Sequence, residues 1–457
     1  MAKNRLFGTD GIRGTANAHP MTTDIVMKVG QALGLLLRQA RENSSKKHVS
    51  KVVIGKDTRL SNYMIEQALA SGLNSMGINV QLVGPLPTPG IGFITKNMRA
   101  DAGIVISASH NQFQDSGVKI FGPDGYKISG EMELEIERLV LEENLNELLP
   151  PSEGVGRSKR IDDASGRYVV FVKNTFPQDK TLDGYRIVLD CANGAAYKVA
   201  PAVLEELGAE VIVLSNSPNG TNINHKCGAL FPDNMTDAVR AYRADVGLSL
   251  DGDADRVIMA DEKGQALTGD HILAISALDL MGRKQLPHNT IVTTEMSNFG
   301  LERAMSENGI KMVKTKVGDK YVVEAMRAHG YILGGESSGH IIFSEHSTTG
   351  DGLIAGLAVL GVMVKTGKPL SKLRNVMEDV PQVLRNIRVA KRTQLEQIKG
   401  YSELVADINQ KLQGKGRTFI RYSGTEPLIR VLVEGPDHNA ITQFADDIGT
   451  LLQRELS

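Results

Sequence analysis

Ser109 lies in Gly103-Ile-Val-Ile-Ser-Ala-Ser-His-Asn-Gln-Phe-Gln-Asp-Ser-Gly-Val-Lys-Ile-Phe121, where a short β-branched run gives way abruptly to Ser107, Ala108, Ser109, His110 and Asn111. The apolar run has the pattern of a buried strand, and the hydroxyls stand at its end. A loop at a strand end can present a nucleophile without burying unsatisfied backbone groups, so Ser109 is the candidate nucleophile. His110 is its neighbour in the chain. Successive residues of an extended chain face opposite sides, so the sequence predicts that His110 is poorly placed to act as a base for Ser109. Taken alone, Ser-His-Asn is more often an ordinary turn than a catalytic centre.

Asp251-Gly-Asp-Ala-Asp-Arg256 follows the strand-like Asp245-Val-Gly-Leu-Ser-Leu250 and precedes Val257-Ile-Met-Ala260. Carboxylates at alternate positions of a tight extended loop can converge on one hard cation, which takes oxygen ligands at short range. A calcium loop of the EF-hand kind does not fit. Glu262 falls at its twelfth position, yet Arg256 stands where glycine is required and the flanks read as strands. A magnesium site and three solvated acids in a turn both remain open at this point.

Gly335-Glu-Ser-Ser-Gly-His340 has the permissive backbone of a binding loop after the strand-like Tyr331-Ile-Leu333. The carboxylate of Glu336 and the hydroxyl of Ser338 can grip neighbouring sugar hydroxyls, and the same loop could equally be a turn with a helix cap. Arg421-Tyr-Ser-Gly-Thr-Glu-Pro427 joins two strands, with Arg430 on the returning one. Guanidinium groups, the hydroxyls of Ser423 and Thr425 and backbone N–H groups around Gly424 make a phosphate cradle plausible on chemical grounds. Phe7-Gly-Thr-Asp-Gly-Ile-Arg-Gly14 is a glycine-punctuated turn ahead of a helix that Thr22 or Thr23 could cap.

Together these five stretches resemble the α-D-phosphohexomutase family, most closely its bacterial branch acting on glucosamine phosphates. The resemblance runs from residue 7 into the C-terminal region, with the motifs in the family's order. Gln112 departs from it, standing where the family usually has proline; this relaxes the loop backbone and removes no reactive group. The resemblance implies an isomerase that interconverts glucosamine 6-phosphate and glucosamine 1-phosphate, whose product feeds UDP-N-acetylglucosamine and cell-wall precursor synthesis. It implies a covalent phosphate on Ser109, a hexose 1,6-bisphosphate as intermediate and activator, and Mg2+ held by Ser109, Asp251, Asp253 and Asp255. By the same resemblance Lys119 and Arg256 serve in proton transfer or charge stabilisation, roles that the sequence does not separate. Thr9, Arg13 and His110 line the substrate site, Glu336 and Ser338 bind the hexose ring, and His340 is either a sugar contact or a structural histidine. Arg421, Ser423, Gly424, Thr425 and Arg430 grip the phosphate that is not reacting. A homodimer is implied by bacterial relatives. Two other readings stay open: a phosphomannomutase or phosphoglucomutase with the same mechanism, and a metal- or phosphate-responsive binding protein in which Ser109 is only a regulatory phosphosite.

The elements that must position these groups form a repeat. Lys51-Val-Val-Ile-Gly-Lys-Asp-Thr-Arg59, a helix over 63–75 and a strand over 76–83 make one unit of strand, polar loop, helix, glycine and strand. The order recurs from Arg186-Ile-Val-Leu-Asp-Cys-Ala-Asn-Gly194 through a strand over 207–214, and again from Thr290-Ile-Val-Thr-Thr-Glu295 through a strand over 308–313. Three such units predict three related α/β domains with mixed, mostly parallel sheets. After residue 375 the pattern changes to strands over 386–390, 417–421 and 428–434 and helices over 401–412 and 439–455, a smaller C-terminal α+β domain. Linker-like composition at 149–156, 259–264 and 365–369 sets the expected domains at 1–160, 161–258, 259–374 and 375–457, and the resemblance implies that all four face one central cleft.

Lys and Arg total 52 against 53 for Asp and Glu, so a net charge of −1 gives no general attraction to nucleic acid or an anionic membrane. A phosphorylated amino sugar must therefore be met by local charge. The apolar stretch 352–364 is shorter than the ~20 residues needed to span a bilayer and reads as a buried helix. Cys191 and Cys227 fit no metal spacing and read as thiols in a reducing compartment. With no apolar signal core near the start, a cytoplasmic protein is expected.

Overall fold

Each repeat folds as a pair of parallel strands joined by a helix. Lys51–Lys56 pairs with Asn79–Pro85, Arg186–Asp190 with Glu210–Leu214, and Thr290–Thr294 with Lys311–Thr315. This computed structural model describes residues 5–8, 10–43, 49–423 and 428–456. The returning strands each begin three residues later than expected because Gly77, Gly208 and Gly309 all take the left-handed conformation that closes the preceding helix. Leu333–Gly335 likewise starts two residues after the expected start at Tyr331, so the strand runs into the glycines of the binding loop.

A third parallel strand flanks the first strand of each pair: Ala102–Ile106, Val246–Leu250 and Leu333–Gly335. The chain then doubles back as an antiparallel strand, Asp115–Phe121, Val257–Asp261 or Ile341–Phe343. The three connections at this reversal are residues 107–114, 251–256 and 336–340, which carry the hydroxyls and carboxylates singled out in the sequence. The same topological corner of three domains thus presents the chemistry, and the surrounding sheets contain seven, five and four strands. Val257–Asp261 remains paired with Val246–Leu250, so the second sheet runs through the expected boundary at 258/259. The apparent linker is a buried strand followed by a turn at Gly264.

One apolar cluster runs continuously through the first three domains, from Val53 and Val105 through Leu189 and Leu248 to Leu333 and Leu360. Tyr168, on the helix Ala164–Lys173, stitches two of them by donating to Asp351 Oδ2 at 2.7 Å. Asp351 also caps the apolar helix Gly352–Thr366 by accepting from Leu353 and Ile354 N–H. That helix is buried, and among the described residues no single helix is long and apolar enough to cross a membrane.

The C-terminal domain has a separate core and a three-stranded antiparallel sheet of Gln382–Arg388, Leu428–Glu434 and Arg417–Tyr422. Its first strand starts four residues before the expected 386. Polar contacts dock it on the third domain. Arg417 pairs with the fully buried Glu434 at 2.6 Å and donates to the carbonyls of Glu295 and Ser297, while Glu434 Oε1 accepts from Phe299 N–H.

Candidate active site

Ser109 is 1 % exposed and its Oγ donates to Asp251 Oδ2 at 2.7 Å, so the candidate nucleophile of the first domain touches the acidic loop of the second. Its backbone has φ +52°, not an extended conformation. The left-handed turn brings His110 Nδ1 to 3.2 Å from Ser109 Oγ, which corrects the expectation that the two side chains diverge. Burial, together with the guanidinium groups of Arg256 and Arg13, pulls His110 down to about 4, leaving it neutral near pH 7. A buried polar frame holds the loop from below. Ser107 Oγ accepts from Ser109 N–H at 2.9 Å and donates to Asp57 Oδ2 at 2.6 Å. Arg59, fully buried and paired with Asp57, donates to the carbonyls of Ser109, Asn111, Gln112 and Asp115.

Asp251, Asp253 and Asp255 are all buried, with one oxygen from each lying within 4.8 Å of the others. Burial and the carboxylates of Asp255 and Asp253 push Asp251 well above the usual range. Two of the oxygens, Asp253 Oδ1 and Asp255 Oδ1, are buried without a hydrogen-bond partner. Thr88 and Lys119 instead occupy Asp253 Oδ2, at 2.6 and 3.0 Å. Crowded anions with orphaned acceptors are what a hard divalent cation would satisfy, so the three residues fit a magnesium ion. The loop is pinned by backbone contacts: Asp253 carbonyl accepts from Thr88 N–H, Gly252 carbonyl from Ala195 N–H, and Ala254 carbonyl from Gly352 N–H.

Lys119 is 2 % exposed and lies 3.0 Å from Asp253, 3.5 Å from Asp255 and 3.2 Å from Asp10. Burial disfavours its charge, but these carboxylates outweigh it and hold Lys119 firmly as an ammonium. Arg13 pairs with Asp10, which also pairs with Lys127, and Lys127 reaches Asp319 of the third domain at 2.6 Å. His340 Nε2 accepts from Gly350 N–H at 3.0 Å, leaving Nδ1 to carry the proton toward Asp255 Oδ1 at 3.6 Å. His340 is therefore a buried structural link between the sugar-type loop and the acidic loop.

Arg256 donates its N–H to Asp251 Oδ1 at 3.2 Å and keeps a buried Nε without a hydrogen-bond partner. Glu336 Oε1 accepts from Gly318 N–H at 3.2 Å, and Ser338 Oγ is buried without a partner, consistent with a group waiting for a ligand hydroxyl. Arg421 and Arg430 stand directly opposite each other across the C-terminal hairpin. Burial and its neighbour Arg430 lower Arg421, the signature of like charges that a dianion would reconcile. Ser423 lies at the mouth of that hairpin, its carbonyl accepting from Arg392 at 2.7 Å. Thr9, Gly424 and Thr425 lie outside the described residues.

The sequence reading missed Asp57, Arg59, Thr88, Asp10, Lys127, Asp319 and Asn224. Asp57, Arg59 and Asp10 had a signal, since the first two follow a buried strand directly and Asp10 stands in the glycine-punctuated turn before Gly14; Thr88, Lys127, Asp319 and Asn224 are paired across domains, and no local pattern marks them.

Comparison with known proteins agrees with this geometry. Family models described as phosphoglucomutase/phosphomannomutase alpha/beta/alpha domains I, II and III match residues 4–147, 166–264 and 268–380, and the C-terminal domain model matches 384–450. A phosphoglucosamine mutase of Bdellovibrio bacteriovorus is 66% identical over 455 residues, covering 100% of this chain and 99% of that one. The fold is similar to that of a phosphoglucomutase/phosphomannomutase family protein from Burkholderia thailandensis, with TM-score 0.80, 24% identity and coverage of 100% and 98% of the two chains. It also resembles an Aspergillus fumigatus N-acetylphosphoglucosamine mutase solved with GlcNAc-6P and magnesium, with TM-score 0.66, 19% identity and coverage of 99% and 96%. With four domain families matched in order and near-complete coverage of a close relative, the chain belongs to the phosphoglucosamine mutase branch of the phosphoglucomutase/phosphomannomutase family.

Proposed function

We propose that this enzyme interconverts glucosamine 6-phosphate and glucosamine 1-phosphate by passing a phosphoryl group between Ser109 and the sugar. The observation that carries this reading is Ser109 Oγ at 2.7 Å from Asp251 inside a buried cluster of three carboxylates. In the forward half-reaction the Ser109 Oγ–P bond breaks as a sugar hydroxyl forms its own bond to phosphorus. The product is a hexose 1,6-bisphosphate, and the hydroxyl proton ends on Ser109 Oγ. In the second half the sugar, turned in the cleft, returns its other phosphate to Ser109.

Asp251, Asp253 and Asp255 would hold magnesium together with the phosphate on Ser109, and the ion supplies neutralisation of phosphoryl charge when bound. Lys119, held as an ammonium, and Arg256 add positive charge at the same place, which favours charge stabilisation over base catalysis for Lys119. The neutral His110 borders the reacting oxygen at 3.2 Å, and the charge of Arg13 acts on His110. Glu336 and Ser338 receive the ring hydroxyls, while Arg421, Arg430 and Ser423, with Thr9, Gly424 and Thr425, bind the sugar's outer parts and its second phosphate. A boundary for the second domain after Leu267 follows the sheet, and the buried thiols of Cys191 and Cys227 suit a cytoplasmic setting.

The amino-sugar choice follows the close relative. An amine and a hydroxyl at carbon 2 differ little in size, so selection rests on hydrogen bonding and charge, which penalise a partner that leaves site groups unpaired. The test is kcat/KM for glucosamine, glucose and mannose phosphates, each with its matched bisphosphate, beside mass measurement of phosphate on Ser109. Glucosamine phosphate should lead and mannose phosphate should trail. A lead for mannose phosphate overturns the substrate, and turnover without phosphate ever appearing on Ser109 overturns the mechanism.

A further inference from the structure

The nucleophile and the metal-type ligands belong to different domains, so movement of one domain against the other would change the distance between them. Asn224 bridges that gap. It lies in the second domain, is 2 % exposed, and its N–H donates to the Ala192 carbonyl at 3.0 Å. Its Nδ2 donates to the carbonyl oxygens of Ser109 at 2.8 Å and Asn111 at 2.9 Å, the same two carbonyls that Arg59 Nη2 holds from within the first domain. The contact is returned: Gln112 Nε2 donates to the Asn224 carbonyl at 3.1 Å. Gly252 of the acidic loop packs against the junction so closely that a Cβ there would fall 2.6 Å from Ser109 O and 2.7 Å from Asn224 Nδ2.

We propose that Asn224 and Gln112 form a two-way clasp by which the second domain sets the backbone of the Ser109 loop, making Asn224 a positioning residue for phosphoryl transfer. The clasp fixes the loop to the same domain that carries Asp251, so the separation of Ser109 from its acidic partners is set locally and not across a sliding interface. It also holds Ser109 in its left-handed conformation, which a non-glycine residue adopts only under constraint. Gln112 supplies the side-chain donor of this clasp, a bond that a proline there could not make.

The clasp rests on the phosphoryl-transfer reading, and the experiment separates the two. Asn224→Ala, Gln112→Pro and the double variant are compared with the wild type in steady-state turnover of glucosamine phosphate. Single-turnover loss of phosphate from phospho-Ser109, thermal unfolding and magnesium affinity are measured alongside. Asn224→Ala should lower kcat by about 10²-fold with KM altered less than about threefold, the size expected when a reacting group is displaced by about 1 Å. Gln112→Pro should slow phosphate loss severalfold without lowering the unfolding temperature, and in the double variant it should add to the loss from Asn224→Ala, because that substitution keeps the backbone carbonyl at 224 that Gln112 Nε2 holds. Full kcat in Asn224→Ala, or wild-type phosphate loss in Gln112→Pro, overturns the clasp. If Asn224→Ala does not fold, Gln112→Pro decides alone, and wild-type phosphate loss in that variant overturns it. Wild-type enzyme that never carries phosphate on Ser109 instead overturns the underlying reaction.

Discussion

At the scale of single residues, an ordinary serine is placed among three buried carboxylates and a forced ammonium. Ser109→Ala should abolish turnover with the fold retained, since it removes one hydroxyl from a loop that Arg59 holds by its carbonyls; Ser107→Ala should cost far less. Assay with bisphosphate supplied and a circular dichroism melt check both. Asp253→Asn keeps the shape and leaves Oδ1 as a neutral acceptor, but it removes one anion from the set. Magnesium should bind more weakly by calorimetry and kcat should fall by at least ~10²-fold, comparable to losing a principal electrostatic stabiliser.

At the scale of elements, the active loops are one structural device used three times. A parallel strand ends, a short connection turns, and an antiparallel strand returns, so each domain delivers its loop from a rigid corner. Close packing between corners depends on missing side chains. Gly252→Ala would press a Cβ against the Ser109 carbonyl, and the backbone has little room to yield. This variant should lose roughly 1–3 kcal/mol of stability, and its kcat should fall more than its magnesium affinity because the serine loop is what moves. Urea unfolding and metal titration separate the two effects.

At the scale of the molecule, three domains share an apolar core and the fourth is attached by polar contacts. Glu434→Ala would leave the Arg417 guanidinium without its buried counterion, a change worth roughly 3–5 kcal/mol where such pairs are fully enclosed and less here, since Arg417 keeps 18% exposure. Arg421 and Arg430, proposed to bind the second phosphate, ride on this domain, so kcat/KM should fall at least ~10-fold, and calorimetry should show the C-terminal domain melting early. The same joint is sensitive to pH. Burial raises Asp270 to about 7, and its Oδ2 accepts from Asn298 N–H at 2.8 Å beside the docking contacts. Because the folded state keeps a proton that the unfolded chain releases near pH 4, stability from this group is full below that pH and is lost as pH rises through about 7. The slope is at most ~1.4 kcal/mol per pH unit. Asp270→Asn should flatten it and stabilise the protein at pH 8, as denaturation midpoints at pH 5 and pH 8 would show.

Local periodicity was enough to read the three α/β repeats and the smaller last domain, and motif spacing made Ser109, Asp251, Asp253 and Asp255 candidates that the family resemblance then favoured, because strand pattern, helix-stop glycines and clustered carboxylates are properties of adjacent residues. The geometry around Ser109 was not legible in the same way. Its left-handed turn toward His110, the Arg59 clamp and the Asn224 bridge arise from contacts between segments 50 to 115 residues apart. The boundary expected at 258/259 falls inside a paired strand for a related reason: a polar turn resembles a linker until its strand is seen paired in a sheet. Charge state also waited for tertiary structure, since only the convergence of Asp10, Asp253 and Asp255 on Lys119 keeps that buried amine protonated. Chain neighbours decide which groups are present, whereas burial and distant partners decide how those groups are held and charged.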